Sequence, residues 1–179
     1  MPNISNTLNL RRWPDLQRLS QGYVAAHRPE NGRYSYDVAV NDPLPEEQIE
    51  KIVELGAGAN ATLIRDLFSL CNGLWVCKFA VYGLRSGPYG LQQPWDINVP
   101  NLWGRPKALP EPYLIVGTCT EKSQDAVGRS FEHCIDNDDA IVVVASDDPT
   151  AVVRRYRSIS EWLVGESERA LSQMAGILK

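Results

Sequence analysis

The sequence predicts an α+β fold, a single domain whose mostly antiparallel sheet is flanked by helices. Three observations predict it: apolar residues recur at helical spacing before Asn72, short β-rich runs separated by Gly, Pro, Asn and Asp follow, and a capped helix closes the chain. Helices first, strands in the middle and a helix last is typical of α+β proteins, whereas βαβ proteins alternate the two. At 179 residues the chain fits one domain that can bury its core without staples.

The N-terminal part, residues 1–43, is predicted as a helical and extended segment ahead of the domain at 44–179. Pro14 suits a first helical position, and the apolar spacing after it indicates a peripheral helix. Alternating residues at 34–40 favour a half-buried strand or an extended arm.

Two helices are predicted next. Glu46 and Glu47 place negative charge at a helix N-terminus, and the apolar face behind them ends near Gly56. Asn60 is a plausible N-cap for the second helix, whose apolar residues keep the spacing of a buried stripe until Gly73 stops it.

The rest of the chain changes to the period of strands. The β-rich runs are 74–84, 112–119, 130–135, 140–145 and 151–156. The long connection 85–111 carries Trp95 and Trp103 among prolines and glycines, and loops of this length are usually functional or mobile. A capping box at 158–161 predicts a closing helix over about 160–177.

Charge and composition exclude several classes of function. A net charge of −4 and a pI near 5.2 argue against a nucleic-acid binder and favour a basic partner. No apolar stretch follows Arg11 and Arg12 as in a secretory signal, and no window has the apolar length of a membrane span. We therefore expect a cytoplasmic protein that binds neither nucleic acid nor membrane.

The cysteines do not indicate a metal site or a disulfide framework. They are scattered, with neither a C-x-x-C pair nor a histidine at a zinc-ligand offset: Cys71, Cys77, Cys119 and Cys134. We expect reduced and mostly buried thiols, and neither metal nor cofactor.

Two enzyme hypotheses were weighed and are disfavoured. The glycine-rich segment 56–60 imitates a nucleotide-binding turn, but the residues before it have helical spacing and no acidic residue follows about twenty positions on, so we interpret it as a turn between helices. A cysteine hydrolase needs a thiol beside a base, yet His133 and Cys134 point to opposite faces of a strand. His27 could still meet one of the thiols in space. We expect no catalytic residue and no enzyme activity.

Several short motifs resemble those of the SUKH superfamily. They are LPEEQIE at 44–50, LFSLCNG at 67–73, PWDI at 94–97, YLIVG at 113–117, CID at 134–136 and ISEWL at 159–163. The resemblance covers about 44–165 and departs from the family at 58–61, where Gly-Ala-Asn-Ala stands in place of the common Leu-Pro. This superfamily includes a yeast cell-wall-synthesis regulator and many bacterial immunity proteins.

The resemblance implies an α+β fold without cofactor and, in bacteria, neutralisation of a toxin by direct binding. The charge pattern fits independently, because no Lys or Arg lies between Arg129 and Arg154 while six acidic residues do. Such an acidic edge would steer a basic partner. The same acids also suit hairpin turns and solubility, and that alternative stays open.

We therefore expect an immunity protein of a bacterial toxin system whose partner is a toxin domain, with a basic nuclease favoured. The alternative is a regulatory or scaffold module of the same fold. The sequence leaves open the identity of the toxin and the choice between monomer and dimer. The predicted partner-binding residues are Trp95, Asp96, Trp103, Asp136, Asp138 and Asp139.

Overall fold

The computed structural model describes residues 38–85, 94–122 and 128–177. The helices of this part are α1 (Glu46–Leu55), α2 (Ala61–Leu70) and α3 (Ile159–Ile177), with a π-helical turn at Val99–Trp103. The strands are β1 (Val38–Val40), β2 (Leu74–Val76), β3 (Phe79–Val81), β4 (Leu114–Lys122), β5 (Gly128–Ile135), β6 (Ile141–Ala145) and β7 (Asp148–Tyr156). Helices flank one open antiparallel sheet, which confirms the predicted α+β class.

The first two helices form where their end signals lie. The α1 helix begins after Pro45 with two acidic residues and buries an apolar face on the core. The Asn60 side chain caps α2, because its Oδ1 accepts a hydrogen bond of 3.0 Å from the Leu63 amide. Gly58 lies between the helices with φ +101°, a conformation that favours glycine. The glycine-rich segment is therefore a turn between helices, as predicted.

The sheet is a seven-stranded meander in which every strand pairs antiparallel with its sequence neighbours. The run predicted at 74–84 is in fact two strands, β2 and β3, joined by a turn at Cys77 and Lys78. Cys77 adopts φ +56° there, which is uncommon for a residue other than glycine. The sequence has no glycine or asparagine at this point to mark a hairpin.

The sheet has two differently covered sides. On the helix side, α1, α2 and α3 enclose the main core, which includes Phe79, Phe131 and Trp162. On the loop side, the segment 94–113 covers a smaller apolar cluster built around Leu109 and Ile115. Because successive strand residues alternate between the sides, His133 faces the helices while Glu132 and Cys134 face the loop.

One irregularity interrupts this alternation. In β4, Ile115 pairs with Cys134 and Gly117 with His133, so Val116 is an extra residue, a β-bulge. Gly117 permits close packing just after the bulge, because a Cβ there would lie 2.7 Å from the Ala80 carbonyl oxygen. After the bulge, Cys119 faces the helix side.

The two ends of the described chain differ from the predictions in detail. Residues 38–40 fall within the predicted N-terminal extension, yet they pair with β2 as an edge strand of the sheet. The helix predicted to begin at Pro14 lies outside the described residues. His27 lies outside them as well. At α3, the Ser158 hydroxyl accepts from the Glu161 amide as expected, but Glu161 accepts from the Arg157 amide and not from that of Ser158. In the described ranges, no helix has the length and apolarity to cross a bilayer.

Candidate partner-binding surface

Four large apolar side chains lie exposed on the segment that covers the loop side, and we call them the tryptophan turn. They are Trp95 (55% exposed), Val99 (50%), Leu102 (58%) and Trp103 (74%). Both tryptophans were predicted from the sequence. Val99 and Leu102 were missed, although their spacing from Trp103 is that of one helical face. Large apolar residues clustered in the open are typical of binding sites.

The tryptophan turn is held firmly by one buried amide. The Asn101 side chain donates hydrogen bonds to the carbonyl oxygens of Ile97 (2.9 Å) and Ile115 (2.8 Å). Its Oδ1 accepts a third bond of 2.9 Å from the Ile115 amide. These bonds fix the turn to the sheet beside the bulge. A preorganised surface loses less conformational entropy when it binds.

Asp96 shapes the start of this turn. Its Oδ1 accepts hydrogen bonds from the Asn98 amide (3.0 Å) and from the Asn98 side chain (2.9 Å). The backbone on either side pairs with Gly83 through the Trp95 carbonyl and the Ile97 amide. Asp96 is half-buried and is therefore first of all a structural residue of the surface.

The predicted acidic residues divide into one buried and two exposed side chains on the β5–β6 hairpin. Asp136 is only 1% exposed, and its Oδ1 accepts from the amides of Asp138 (2.9 Å) and Ala140 (3.0 Å). Its burial leaves Asp136 to set the shape of the hairpin, not to contact a partner directly. Asp138 and Asp139 are exposed, and Asp139 accepts a hydrogen bond from the Asn60 side chain.

The tryptophan turn and the β5–β6 hairpin, which we call the acidic hairpin, both lie against the start of β4. Arg105, two residues after Trp103, donates to the carbonyl oxygen of Tyr113 (2.7 Å). Burial raises the pKa of the Tyr113 hydroxyl, and the nearby charge of Asp136 adds to that effect. Tyr113 therefore lies close to Arg105 and to Asp136, and the start of β4 joins the segment of the tryptophan turn to the acidic hairpin.

The arginines that border the acidic window fold back onto it. Arg129 Nη2 lies 3.2 Å from Asp147 Oδ1, and Arg155 Nη2 lies 3.3 Å from Asp136 Oδ2. No Lys or Arg lies between Arg129 and Arg154 in the sequence, but strand pairing places Arg129 and Arg155 beside acidic residues of that window. The charge available to a partner is therefore centred on Asp138 and Asp139.

A buried polar cluster lies on the other side of the sheet, beneath α3. Trp162 Nε1 donates a hydrogen bond of 2.8 Å to His133 Nδ1. Arg154 Nε donates one of 2.8 Å to Glu166 Oε1, and Tyr156 donates its hydroxyl hydrogen to the same oxygen. No pattern in the sequence indicates this cluster, because its members come from separate elements of the fold.

Three residues of this cluster have the chemistry of metal ligands. Cys119, His133 and Glu166 each offer one ligand atom, and these atoms lie within 4.8 Å of one another. However, an indole N–H can only donate, so Trp162 occupies the lone pair of His133 Nδ1 and leaves the proton on Nε2. A metal at Nε2 would need the opposite tautomer, and Glu166 is already paired with Arg154. The cluster does not fit a metal.

The same tautomer argues against cysteine catalysis in this cluster. With its proton on Nε2, His133 has no free lone pair to accept the Cys119 proton. Burial lowers the His133 pKa to about 3, and burial raises the Cys119 pKa to about 12. Both groups are neutral at physiological pH, which is the behaviour of a structural core.

Comparisons with known proteins found no match to any family model, curated protein or solved structure.

Proposed function

We propose that this chain is an immunity-type protein that binds and neutralises a basic bacterial toxin domain, with a nuclease as the favoured class, in the cytoplasm. The observation that carries the proposal is the exposed tryptophan turn, which Asn101 fixes to the end of β4 that pairs with the hairpin of Asp138 and Asp139. The surface combines rigid apolar anchors with negative charge.

The two parts of this surface would contribute differently to binding. Tryptophan is enriched among the few residues that supply most of the energy of a protein interface. Acidic residues at the rim accelerate association with a basic partner but add less to affinity. Residues 38–179 contain 13 Lys and Arg against 19 Asp and Glu, so the whole domain would attract a cationic protein.

The order of elements also supports the proposal. Two helices, an antiparallel sheet and a closing helix are compatible with the coarse fold that the SUKH resemblance implies. The superfamily that the chain resembles includes immunity proteins. The PWDI motif at 94–97, one of the motifs that carry the resemblance, contributes Trp95 to the tryptophan turn.

The test is co-expression with a panel of basic toxin domains, including nucleases, followed by purification of any complex. We expect one toxin to be neutralised and to form a stable complex with the full chain. Trp103→Ala should weaken that complex by about 30-fold or more, mainly through faster dissociation, as expected for an interface anchor. The matched control is Val153→Ala, another exposed apolar residue, on β7. An unchanged dissociation rate for Trp103→Ala would contradict the proposal.

Charge is tested separately. Replacing Asp138 and Asp139 together by asparagine should slow association at low ionic strength, and the difference should shrink as salt is added. Replacing Glu47 and Glu54 on the exposed part of α1 by glutamine is the matched control for net charge. A chain that captures an endogenous protein but protects against no toxin would support a scaffold module of the same fold instead.

A further inference from the structure

Glu132 is a half-buried carboxylate with no cationic partner among the residues that the structure describes. Its Oε1 accepts a hydrogen bond of 3.3 Å from the Ser146 hydroxyl, and its Oε2 is buried without a hydrogen-bond partner. By contrast, Glu121 and Glu166 on the helix side share the guanidinium of Arg154. A carboxylate oxygen withdrawn from water without a donor is costly, and such groups in folded proteins call for an explanation.

An aromatic pair lies beside this carboxylate on the loop side. Tyr82 packs against Trp95 with ring centroids 6.2 Å apart and planes inclined by 40°. Thr118 of β4 pairs with Ala80 and with Glu132, and Tyr82 lies two residues after Ala80 on the same side of the sheet, so Tyr82 is a near neighbour of Glu132. Burial raises the pKa of the Tyr82 hydroxyl, and the charge of Glu132 adds to that effect. Tyr82 thus links Glu132 to Trp95, which is exposed.

We propose that Glu132, Tyr82 and Trp95 form a binding site for one organic cation, the arginine or lysine side chain of a protein partner. Aromatic faces attract such cations, and the attraction increases when water is excluded. The cation would supply the positive charge that Glu132 lacks among the described residues. Because Oε2 is buried in the free chain, the carboxylate has to rotate toward Trp95 for a donor of the cation to reach it. This inference rests on the proposed function, since it names one contact that a basic partner would make.

The site would respond to pH near neutrality. Burial raises the Glu132 pKa to about 7, with the Ser146 hydrogen bond acting in the opposite direction. Among the described residues, the titratable groups that face it are Tyr82 from β3 and Cys134 from β5, and burial raises the pKa of both, so they stay uncharged. Arg105 of the covering segment carries a positive charge and acts on Cys134. Thr118 of β4 and Val144 of β6, its cross-strand neighbours, do not titrate. Because the cation needs the ionised carboxylate, binding should weaken about tenfold from pH 8 to pH 6.

The experiment uses the full chain with methylguanidinium chloride and n-butylammonium chloride as probes, which distinguish an arginine-like from a lysine-like preference. NMR follows the Glu132 carboxyl carbon and the Trp95 indole during titration with each probe. We expect a saturable shift of both signals, and a Glu132 pKa that falls by about one unit when the site is filled. Glu132→Gln should abolish the response, while Glu111→Gln, which removes an exposed carboxylate, should preserve it. An equal response in Glu132→Gln, or an unchanged Glu132 pKa, overturns the proposal.

The outcome can be separated from that of the toxin experiment. Probe binding without any toxin complex would uphold the cation site and count against the immunity function. A toxin complex whose affinity is unaffected by Glu132→Gln at pH 8, together with no probe response, would overturn the cation site alone.

Discussion

Glu132 and His133 are neighbours in β5, and the contrast between them describes the two sides of the sheet. On the helix side, His133 is neutral, accepts a hydrogen bond from Trp162 and lies beside the Arg154–Glu166 ion pair. On the loop side, Glu132 is also removed from water, and no described residue pairs a cation with it. Within the described part of the chain, the buried carboxylates of the helix side therefore have cationic partners, whereas Glu132 does not.

The largest effect should come from breaking the ion pairing on the helix side. Arg154→Met removes the closest cation from Glu166 and Glu121 in a buried setting and leaves them only the longer contacts of 3.9 Å to Arg169, and we expect a loss of about 3 kcal/mol in the free energy of unfolding. Urea denaturation at pH 7 measures it.

The matched control is the next residue, on the opposite side of the sheet. Arg155 is half exposed, and its partner Asp136 keeps two backbone hydrogen bonds, so Arg155→Met should cost about 1 kcal/mol or less. Equal losses for the two variants would contradict the contrast between the two sides.

An intermediate effect should come from Glu132, and it should depend on pH. Its pKa in the folded protein, about 7, lies above the ordinary value of 4.5, so folding favours its protonated form. This contribution to stability is complete below pH 4.5 and is lost as the pH rises through 7. Glu132→Gln should therefore raise the free energy of unfolding by about 2–3 kcal/mol at pH 8 and change it little at pH 4.

Thermal or urea unfolding of both proteins across this pH range measures the difference. His133 has the opposite sign, since its lowered pKa means that stability is lost as the pH falls from 6.5 toward 3. That contribution is present in both proteins and cancels. A difference between wild type and variant that does not vary with pH would mean that Glu132 is not held in an unfavourable environment.

The smallest effect sharpens the comparison on the loop side itself. Asn101→Ala removes three hydrogen bonds and leaves the Ile115 amide and carbonyl unpaired, which should cost about 1–3 kcal/mol. The fluorescence anisotropy of Trp103, measured with the other tryptophans replaced by phenylalanine where the fold tolerates it, should also fall. Leu102→Ala, exposed on the same turn, is the control and should change stability by about 0.5 kcal/mol or less.

Local signals in the sequence predicted much of the fold. The Asn60 cap, the stripe of α2 and the strand runs lie within a few residues of one another in the chain, so their patterns are visible directly. The opposite orientations of His133 and Cys134 followed from strand geometry and are confirmed. The step from α2 to β2 was also predicted, and Trp95 and Trp103, which were predicted to bind a partner, are exposed.

Pairings between distant residues could not be predicted in this way. The salt bridge of Arg155 to Asp136 and the approach of Cys119 to His133 depend on the register of neighbouring strands. The hairpin between β2 and β3 was not predicted, because a positive φ is rare for a residue other than glycine and Cys77 gives no signal of a turn. Membership of the SUKH superfamily and the binding of a toxin stay predictions.

The extra residue in β4 has a consequence for both sides of the sheet. Val116 shifts the parity of the strand, so that Glu121 points under α3 instead of away from it. A strand of unbroken parity would turn Thr118 and Thr120 inward and leave Arg154 with a single anion. Because of this one extra residue, Ile115 in the first half of β4 binds Asn101 on the loop side, while Glu121 in the second half pairs with Arg154 on the helix side.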